Sequence, residues 1–440
     1  MPRIAHVCAL SAGLIAALAV AHERIGLALA LVLLLLLAAS VVVAPRARWR
    51  AGLIALGAAL AVQPVLRDAG WVIWLDGLAV LATAGALVTA PATWGDVARS
   101  VTAPLRLLRG TALACRATVA LMPERAGRRW RPVLTGVALA VILLSGFGAL
   151  FVAADAAFAD LADETLDLQL DTGELIWRAV LGMTAAAAVG SLVAAARPRP
   201  LGPKPLGRVP GVVELRIALS ALVALFIAFV VVQLQVLFGG AGYVRRTTGL
   251  GLGEYARQGF TAMLVVAALT LAVVAFAARR RDPVVRGLLA ALCLLCLVVL
   301  VSAQHRLGLV VDAYGLTRVR VAGEAAVPWL AGLLALVLAA GAHPGIARRG
   351  PRLAITGTLA AILAFSLSDP DRRIAGRAVD RHARTGQIDL DYLEGLSADA
   401  IPALRRLPEP LRGEVLEPLL RDLEGPDGIA GLNLSRARAR

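Results

Sequence analysis

The chain has 440 residues, of which 59% are hydrophobic, and its mean hydropathy is +0.77. A soluble globular protein cannot hide that much apolar surface, because much of any chain must face water. The net charge of +15 does not indicate nucleic-acid binding, since the excess arginine lies in short segments between apolar stretches and forms no basic face with stacking aromatic residues. Composition therefore predicts an integral membrane protein with the lipid bilayer as its partner and no nucleic acid.

Eleven apolar stretches are candidates for spanning helices, each of which needs about 20 residues to cross the hydrocarbon core of a bilayer. In chain order they are residues 4–21, 25–43, 51–66, 71–90, 133–154, 175–196, 213–238, 261–278, 284–303, 325–342 and 353–367. The third and the last are the shortest. The predicted fold class is all-α: a polytopic transmembrane helical bundle of about 11 spans with a small helical C-terminal extension.

The arginines predict the direction of the spans. With the N-terminus in the cytoplasm, alternate connections collect 24 basic residues on the cytoplasmic side and nine on the other, which is the positive-inside bias. All seven tryptophans lie at or near predicted helix ends, where the indole N–H stays hydrated. Lys204 is the only lysine, a skew that indicates a GC-rich bacterial genome. We predict an N-in, C-out protein of the bacterial cytoplasmic (inner) membrane.

Four segments follow from this topology: transmembrane helices in 1–90, a basic amphipathic cytoplasmic loop in 91–132, further transmembrane helices in 133–368, and a helical tail in 369–440. In the loop, apolar residues alternate with arginines, a pattern typical of a helix in the headgroup layer.

The tail has 12 basic and 13 acidic residues, so its charge is nearly balanced. Asp369 and Pro370 predict a helix start with Asp369 as the cap, and Ser397 predicts another. Helices are expected in 398–407 and 408–424. The tail is either a contact surface for another molecule or a cap packed on its own membrane domain, and both alternatives remain open.

Two connections on the predicted outer side, residues 239–260 and 304–324, contain the most informative polar residues. They hold six of the nine basic residues of that side, where positive charge is disfavoured. We predict that both connections meet in one outer-face cluster that binds a ligand, with these members: Tyr243, Arg245, Arg246, Glu254, Arg257, Arg306, Asp312, Tyr314, Arg318, Arg320 and Glu324.

The six arginines of this cluster outnumber its three acids, so an anionic lipid headgroup or a phosphate is the expected ligand, and an envelope protein is an alternative partner. A simpler interpretation is that these residues form helix-end ion pairs, each worth little on its own.

Asp76 is the acid predicted to lie inside a span. Acidic residues in spans are costly and often functional. At a rise of 1.5 Å per residue, Asp76 lies about 8 Å from the outer end of its helix, so water at the interface could also hydrate it.

The sequence contains no HExxH, GxSxG, Walker or dinucleotide-binding motif, so we expect no cofactor and favour a non-enzymatic binding or assembly protein. Two other functions remain open. One is a secondary transporter, which would place a polar site at the midplane. The other is an enzyme that acts on a lipid-linked substrate at the outer leaflet.

Five stretches carry a resemblance to known proteins: residues 147–158 (FGALFVAADAAF), 254–260 (EYARQGF), 312–318 (DAYGLTR), 388–393 (IDLDYL) and 396–404 (LSADAIPAL). They resemble a family of bacterial membrane proteins described as domain of unknown function 4153 or 4173. The likeness runs from about Val133 to the end of the chain. It implies a polytopic envelope protein and assigns no catalytic residue.

The topology is testable with reporter fusions. A reporter that is active only in the cytoplasm should be silent after Arg440 and active near Pro203, because the positive-inside bias places these positions on opposite sides. Cytoplasmic activity from the fusion after Arg440 would mean an even number of spans.

Overall fold

A computed structural model describes residues 26–43, 49–89, 211–248, 260–278, 282–424, 428–429 and 431–440, with Val133 and Phe151 as single residues. Within these ranges the chain forms helices and turns and no strand, which confirms the all-α prediction for them. The predicted span 4–21, the loop 91–132 and nearly all of the spans 133–154 and 175–196 lie outside the described residues.

Nine helices precede the tail in the described ranges: α1 (Leu27–Val43), α2 (Arg50–Ala61), α3 (Gln63–Leu66), α4 (Gly70–Thr89), α5 (Val212–Thr248), α6 (Phe260–Ala277), α7 (Pro283–Tyr314), α8 (Arg318–Ala342) and α9 (Pro344–Leu367). Among them, the six helices α4 to α9 are long and apolar enough to cross a membrane. The predicted count of 11 spans stays a prediction.

Five short helices and one 3₁₀ helix follow α9: α10 (Pro370–Thr385), α11 (Leu390–Glu394), the 3₁₀ helix (Ala398–Ala400), α12 (Ile401–Leu404), α13 (Leu411–Arg421) and α14 (Leu434–Ala439). We call residues 370–440 the cap. Its core consists of fully buried apolar side chains from several of these helices, among them Ile374, Ile401, Leu404 and Val415.

The predicted span 51–66 is wrong as a single helix. The structure divides it into α2 and α3 at Val62. Pro64 lies in the first turn of α3, where its missing N–H would not have been bonded in any case, whereas inside a continuous helix it would remove a hydrogen bond.

The predicted spans 213–238 and 284–303 end too early, because both helices continue into the outer connections. Helix α5 continues to Thr248, and α7 continues to Tyr314, so that only three residues separate α7 from α8. Backbone hydrogen bonds continue a helix beyond its apolar part, whereas a hydropathy window ends at the first polar residues. Gly315 ends α7 with a φ of 81°, a conformation that glycine adopts without a Cβ penalty.

Two compact units make up the chain. The first comprises Met1–Val101, Tyr314–Ala325 and Arg348–Arg440. Its membrane core is formed by α1, α2 and α4 with Leu359 of α9. A Cβ on Gly57 of α2 would lie 2.9 Å from Thr83 of α4, so the small residue permits close approach of the two helices.

The second unit comprises Thr102–Ala313 and Ala326–Ala347. Its core contains Phe151 and buried side chains of α5 to α8. The Phe151 ring stacks on Phe229 at a centroid distance of 4.0 Å and meets Phe226 edge-on at 4.9 Å. In this unit Arg216 of α5 forms a two-point ion pair with Asp282, which also accepts a hydrogen bond from the Val285 N–H at the start of α7.

Candidate functional site

Asp371, in the first turn of α10, is fully buried and connects the cap to two spans. Its Oδ1 accepts hydrogen bonds from Trp71 Nε1 at 3.0 Å and from Arg318 Nε at 3.2 Å. Its Oδ2 accepts from Arg318 Nη2 at 2.8 Å and from the Ser397 N–H at 3.0 Å. Four donors match the capacity of an ionised carboxylate. The starts of α4, α8 and α10 are therefore held at one point.

Arg318 makes further bonds to the cap from the first residue of α8. Its backbone N–H donates to the Tyr392 hydroxyl at 2.7 Å, and Nη2 also donates to the Gly395 carbonyl at 2.9 Å. Burial opposes ionisation of Asp371, but the hydrogen bonds and charge of Arg318, with the Ser397 and Trp71 N–H groups, outweigh it. The pKa of Asp371 therefore lies below its usual range.

Asp399 connects the cap to the start of α4. Its Oδ2 accepts hydrogen bonds from the backbone N–H groups of Asp68 and Ala69, both at 2.9 Å. The negative charge lies at the positive end of the α4 dipole, where it is stabilised. Burial nevertheless raises the pKa of Asp399, against the hydrogen bonds from Ser435, Asp68 and Ala69.

The end of the cap is fixed to the α3–α4 connection. Asp68 Oδ1 accepts from Arg436 Nη1 at 2.6 Å, and its Oδ2 accepts from the Ala398 N–H at 3.1 Å. Asn433 Nδ2 donates to the carbonyls of Pro64 at 2.9 Å and Arg67 at 2.6 Å. These bonds satisfy carbonyl groups that α3 leaves unpaired at its C-terminus.

Asp369 pairs with Arg67 at 2.5 Å, and Arg67 also donates to the Leu367 carbonyl at 3.0 Å at the end of α9. The predicted cap is wrong: Asp369 has a φ of 55° and makes no side-chain cap hydrogen bond, although α10 does begin at Pro370. Burial and the charge of Asp399 raise the pKa of Asp369 to about 6 against the opposing charge of Arg67. Ser397 also makes no side-chain cap bond.

We call the eight residues that bind across this junction the docking network: Arg67, Asp68, Trp71, Arg318, Asp369, Asp371, Asp399 and Arg436. A neighbouring ion pair extends it, since Glu324 of α8 lies 2.9 Å from Arg373 and 3.6 Å from Arg377, both of α10. Charged residues of the cap therefore pair with charged residues of the membrane helices.

The structure places six of the predicted ligand-binding residues with their side chains. Tyr314, Arg318, Arg320 and Glu324 belong to the first unit. Arg320 donates to the carbonyls of Tyr314 at 3.2 Å and Gly315 at 2.6 Å, where it satisfies the C-terminus of α7. Arg318 and Glu324 pair with residues of the cap.

Two more belong to the second unit. Arg306 is 4% exposed and donates to Gln233 Oε1 at 2.7 Å, an oxygen that also accepts from Ser302 at 2.9 Å. Asp312 is exposed on the last turn of α7. The remaining candidates are outside the described side chains: Tyr243, Arg245 and Arg246 in α5, and Glu254 and Arg257 beyond it. Ligand binding by this set stays a prediction.

Asp76 of α4 is fully buried. Its Oδ1 lies 2.6 Å from Ser366 Oγ of α9, which also lies 3.1 Å from the Ile362 carbonyl. Its Oδ2 is buried without a hydrogen-bond partner. A single hydroxyl proton can serve only one of these two acceptors. The site can therefore accommodate a proton on Asp76, with Ser366 donating to Ile362.

Sequence reasoning missed the cap acids Asp371 and Asp399 as partners of the spans. A signal was present: three of the stretches that carry the family resemblance end at or contain Arg318, Tyr392, Ser397 and Asp399, which meet here. In the ranges that the structure describes, no three His, Cys, Asp or Glu side chains are grouped to hold a metal ion.

Long apolar helices and a polar cap fixed to their ends define a multi-pass helical membrane protein. The chain belongs to the family described as Domain of unknown function (DUF4153), whose model matches residues 51–407. The resemblance is thereby confirmed for the first of the two family descriptions, and it begins well before Val133. Neither a curated protein nor a solved structure matches the chain.

Asp371→Asn should weaken the attachment of the cap by about 2–4 kcal/mol. The neutral amide cannot balance the charge of Arg318, and its NH₂ group would face an N–H donor where the carboxylate offers an acceptor. Amide hydrogen exchange of α10 and α12 in the full-length protein in nanodiscs measures the free energy of opening.

The matched control is Asp380→Asn, which breaks a shorter ion pair (2.5 Å to Arg406, against 2.8 Å between Asp371 and Arg318) whose two side chains are more than half exposed. That change should alter the opening free energy by no more than about 0.5 kcal/mol. Equal effects of the two substitutions would contradict the buried role of Asp371.

Attachment of the cap should weaken as the pH rises from about 4 to about 6. A carboxyl group with a raised pKa binds its proton more tightly in the docked state, so stability is fully present below 3.8 and is lost as the pH rises through about 6. A shift of this size corresponds to on the order of 3 kcal/mol.

The same exchange measurement, corrected for intrinsic amide rates, should show this slope in the wild type and a flatter one in Asp369→Asn. Titration of Asp371 changes the attachment of the cap in the opposite direction, but because its pKa is lowered, that change occurs below this pH range. An attachment that strengthens between pH 4 and 6 would show that Asp369 is ionised when docked.

Proposed function

We propose that the protein is a non-enzymatic anchor in the bacterial inner membrane that presents its cap on the outer side to a protein partner in the envelope. The observation that supports this proposal best is the docking network, which fixes the cap by buried, charge-assisted bonds. A surface held rigidly loses little entropy when it binds another protein.

The surface that we assign to the partner is the exposed side of α13. A shallow groove of about 500 Å³ is lined there by Glu409, Arg412, Gly413, Leu416, Glu417, Leu420, Arg421 and Glu424. Its charges alternate in sign, and Leu420 is 37% exposed among them. This composition fits a polar, reversible contact with a protein segment of complementary charge around one apolar anchor.

The ion pairs in this groove are available to a partner. Glu417 and Arg421 lie 2.7 Å apart, and Glu409 and Arg412 lie 2.6 Å apart, but all four side chains are between 44% and 72% exposed. Exposed pairs contribute little to folding, so their exchange for contacts with a partner costs little.

A second candidate function is proton-coupled transport, which Asp76 favours. A fully buried carboxyl group in a span, with one oxygen that has no hydrogen-bond partner, can carry a proton. Proton uptake by proteoliposomes of the wild type that is lost in Asp76→Asn would establish this function in place of the anchor.

The anchor proposal predicts a specific cross-link. A photoreactive residue at Leu420, in cells, should give one discrete adduct, whereas one at the exposed Ala383 of α10 should not. The captured protein, identified by mass spectrometry and purified, should bind the full-length protein in nanodiscs.

Exchange of the pair, Glu417→Arg with Arg421→Glu, supplies the matched variant, since it keeps net charge and an i, i+4 ion pair but inverts the surface pattern. It should weaken binding at least tenfold, while the opening free energy of the cap changes by no more than about 0.5 kcal/mol. Unchanged affinity, or equal adducts from Leu420 and Ala383, would refute the assignment of α13.

A further inference from the structure

The chain just before and at the start of α14, residues 428–429 and 431–434, carries exposed apolar side chains beside a buried polar one. We call it the entry segment. Ile429 is 83% exposed, Leu432 49% and Leu434 38%, whereas Asn433 between the two leucines is 1% exposed. Asn433 has an extended backbone, so the side chains of Leu432 and Leu434 lie on the side opposite to its own. Water favours the reverse arrangement, so this one indicates an apolar medium outside the segment.

The backbone of the entry segment contacts the first residues of α1. The Leu432 carbonyl accepts a hydrogen bond from the Leu27 N–H at 3.1 Å. A Cβ on Gly26 would lie only 2.5 Å from the Gly431 carbonyl oxygen, so glycine at position 26 permits the two chains to approach this closely. Helix α1 is apolar throughout except for Ser40 and packs in the membrane core of the first unit. The entry segment is therefore fixed where an apolar membrane helix begins.

Two further contacts place the entry segment at the edge of the hydrocarbon layer. Asn433 donates to the Arg67 carbonyl, which lies three positions before the apolar span Gly70–Leu87 of α4. Leu31 is 44% exposed on α1, one helical turn beyond the residue that bonds to Leu432. The exposed apolar surface of α1 thus begins within one turn of the entry segment.

We propose that Ile429, Leu432 and Leu434 insert into the lipid layer, at the boundary between headgroups and acyl chains, in the leaflet on the side of the cap. Single exposed apolar residues are common on proteins and need no partner. Here three lie within six positions, beside the start of a membrane helix, and the polar residue among them faces inward. The insertion holds the end of the cap to the bilayer surface and does not depend on a partner at α13.

Fluorescence quenching tests the insertion in the full-length protein in phosphatidylcholine nanodiscs. The four native cysteines are replaced by alanine. An environment-sensitive dye (NBD) is then attached at Leu432→Cys or, as the control, at Glu417→Cys, a position that is 72% exposed in the charged groove of α13. Lipids with a nitroxide near the start of the acyl chain should quench the dye at position 432 at least about threefold more strongly, because interfacial segments bury their apolar side at that depth.

Iodide in the buffer should quench the two dyes in the opposite order. Equal quenching of both dyes by the lipid nitroxides, or stronger quenching by iodide at position 432, would overturn the proposal, because the entry segment would then lie in water. If Leu432→Cys does not fold, Ile429→Cys gives the same test with the same two outcomes, since its side chain is already 83% exposed.

A matched pair of substitutions also distinguishes lipid from water. Leu434 and Leu420 are exposed to nearly the same extent, 38% and 37%, and lie in the first turn of α14 and the last turn of α13. In water Leu434→Asp would stabilise α14, because an acid suits the first turn of a helix, whereas Leu420→Asp would oppose the dipole of α13.

In lipid the order is reversed. Leu434→Asp should speed amide exchange of α14 in nanodiscs at least about tenfold, because it brings a charge to the acyl chains. Leu420→Asp should speed exchange of α13 no more than about threefold. Unchanged or slower exchange of α14 in Leu434→Asp would contradict the insertion.

Discussion

The carboxylate of Asp371 is the group on which the arrangement of the first unit depends. Removing an ionised carboxylate from water costs several kcal/mol, and only well-placed donors offset that cost. Here the donors come from an indole in α4, a guanidinium in α8 and a backbone amide in the cap. Since each donor belongs to a different segment, these segments must meet for the charge to be tolerated at all.

Other charges of the docking network then have defined positions. Asp399 accepts a hydrogen bond from a backbone N–H at the start of α4, and Arg67 donates one to a carbonyl at the end of α9. Arg436 donates to Asp68 between α3 and α4. Helix termini that point out of a membrane leave N–H and C=O groups unpaired, and the cap satisfies several of them.

Much of this fold could be predicted from sequence, because apolar runs report directly on the solvent around a helix. Spans 213–238, 261–278 and 284–303 all correspond to long helices, and the cap is helical as expected. The ends of α7 and α8 could not be predicted in this way. Polar residues such as Asp312 and Arg320 continue the helical backbone, but they lower the mean hydropathy, so a predicted span stops before it reaches them.

The partners of the charged residues could not be predicted from the sequence for a different reason. The predicted cluster grouped Arg318 with the acids Glu254, Asp312 and Glu324, but the acid that it contacts in the structure is Asp371. Trp71 and Asp371 are separated by 300 positions, and no local pattern relates them. Tertiary packing determines which of the acidic residues of the tail pairs with a given arginine.

A double-mutant cycle on Arg318 and Asp371 tests the central claim most directly. The opening free energy of the cap is measured by amide exchange of α12 for the wild type, Arg318→Met, Asp371→Asn and the double variant. A buried ion pair predicts a coupling free energy of at least about 1.5 kcal/mol, because the first substitution already removes the interaction and the second then has little left to remove. Effects that add to within about 0.3 kcal/mol would show that the two residues do not hold the cap together.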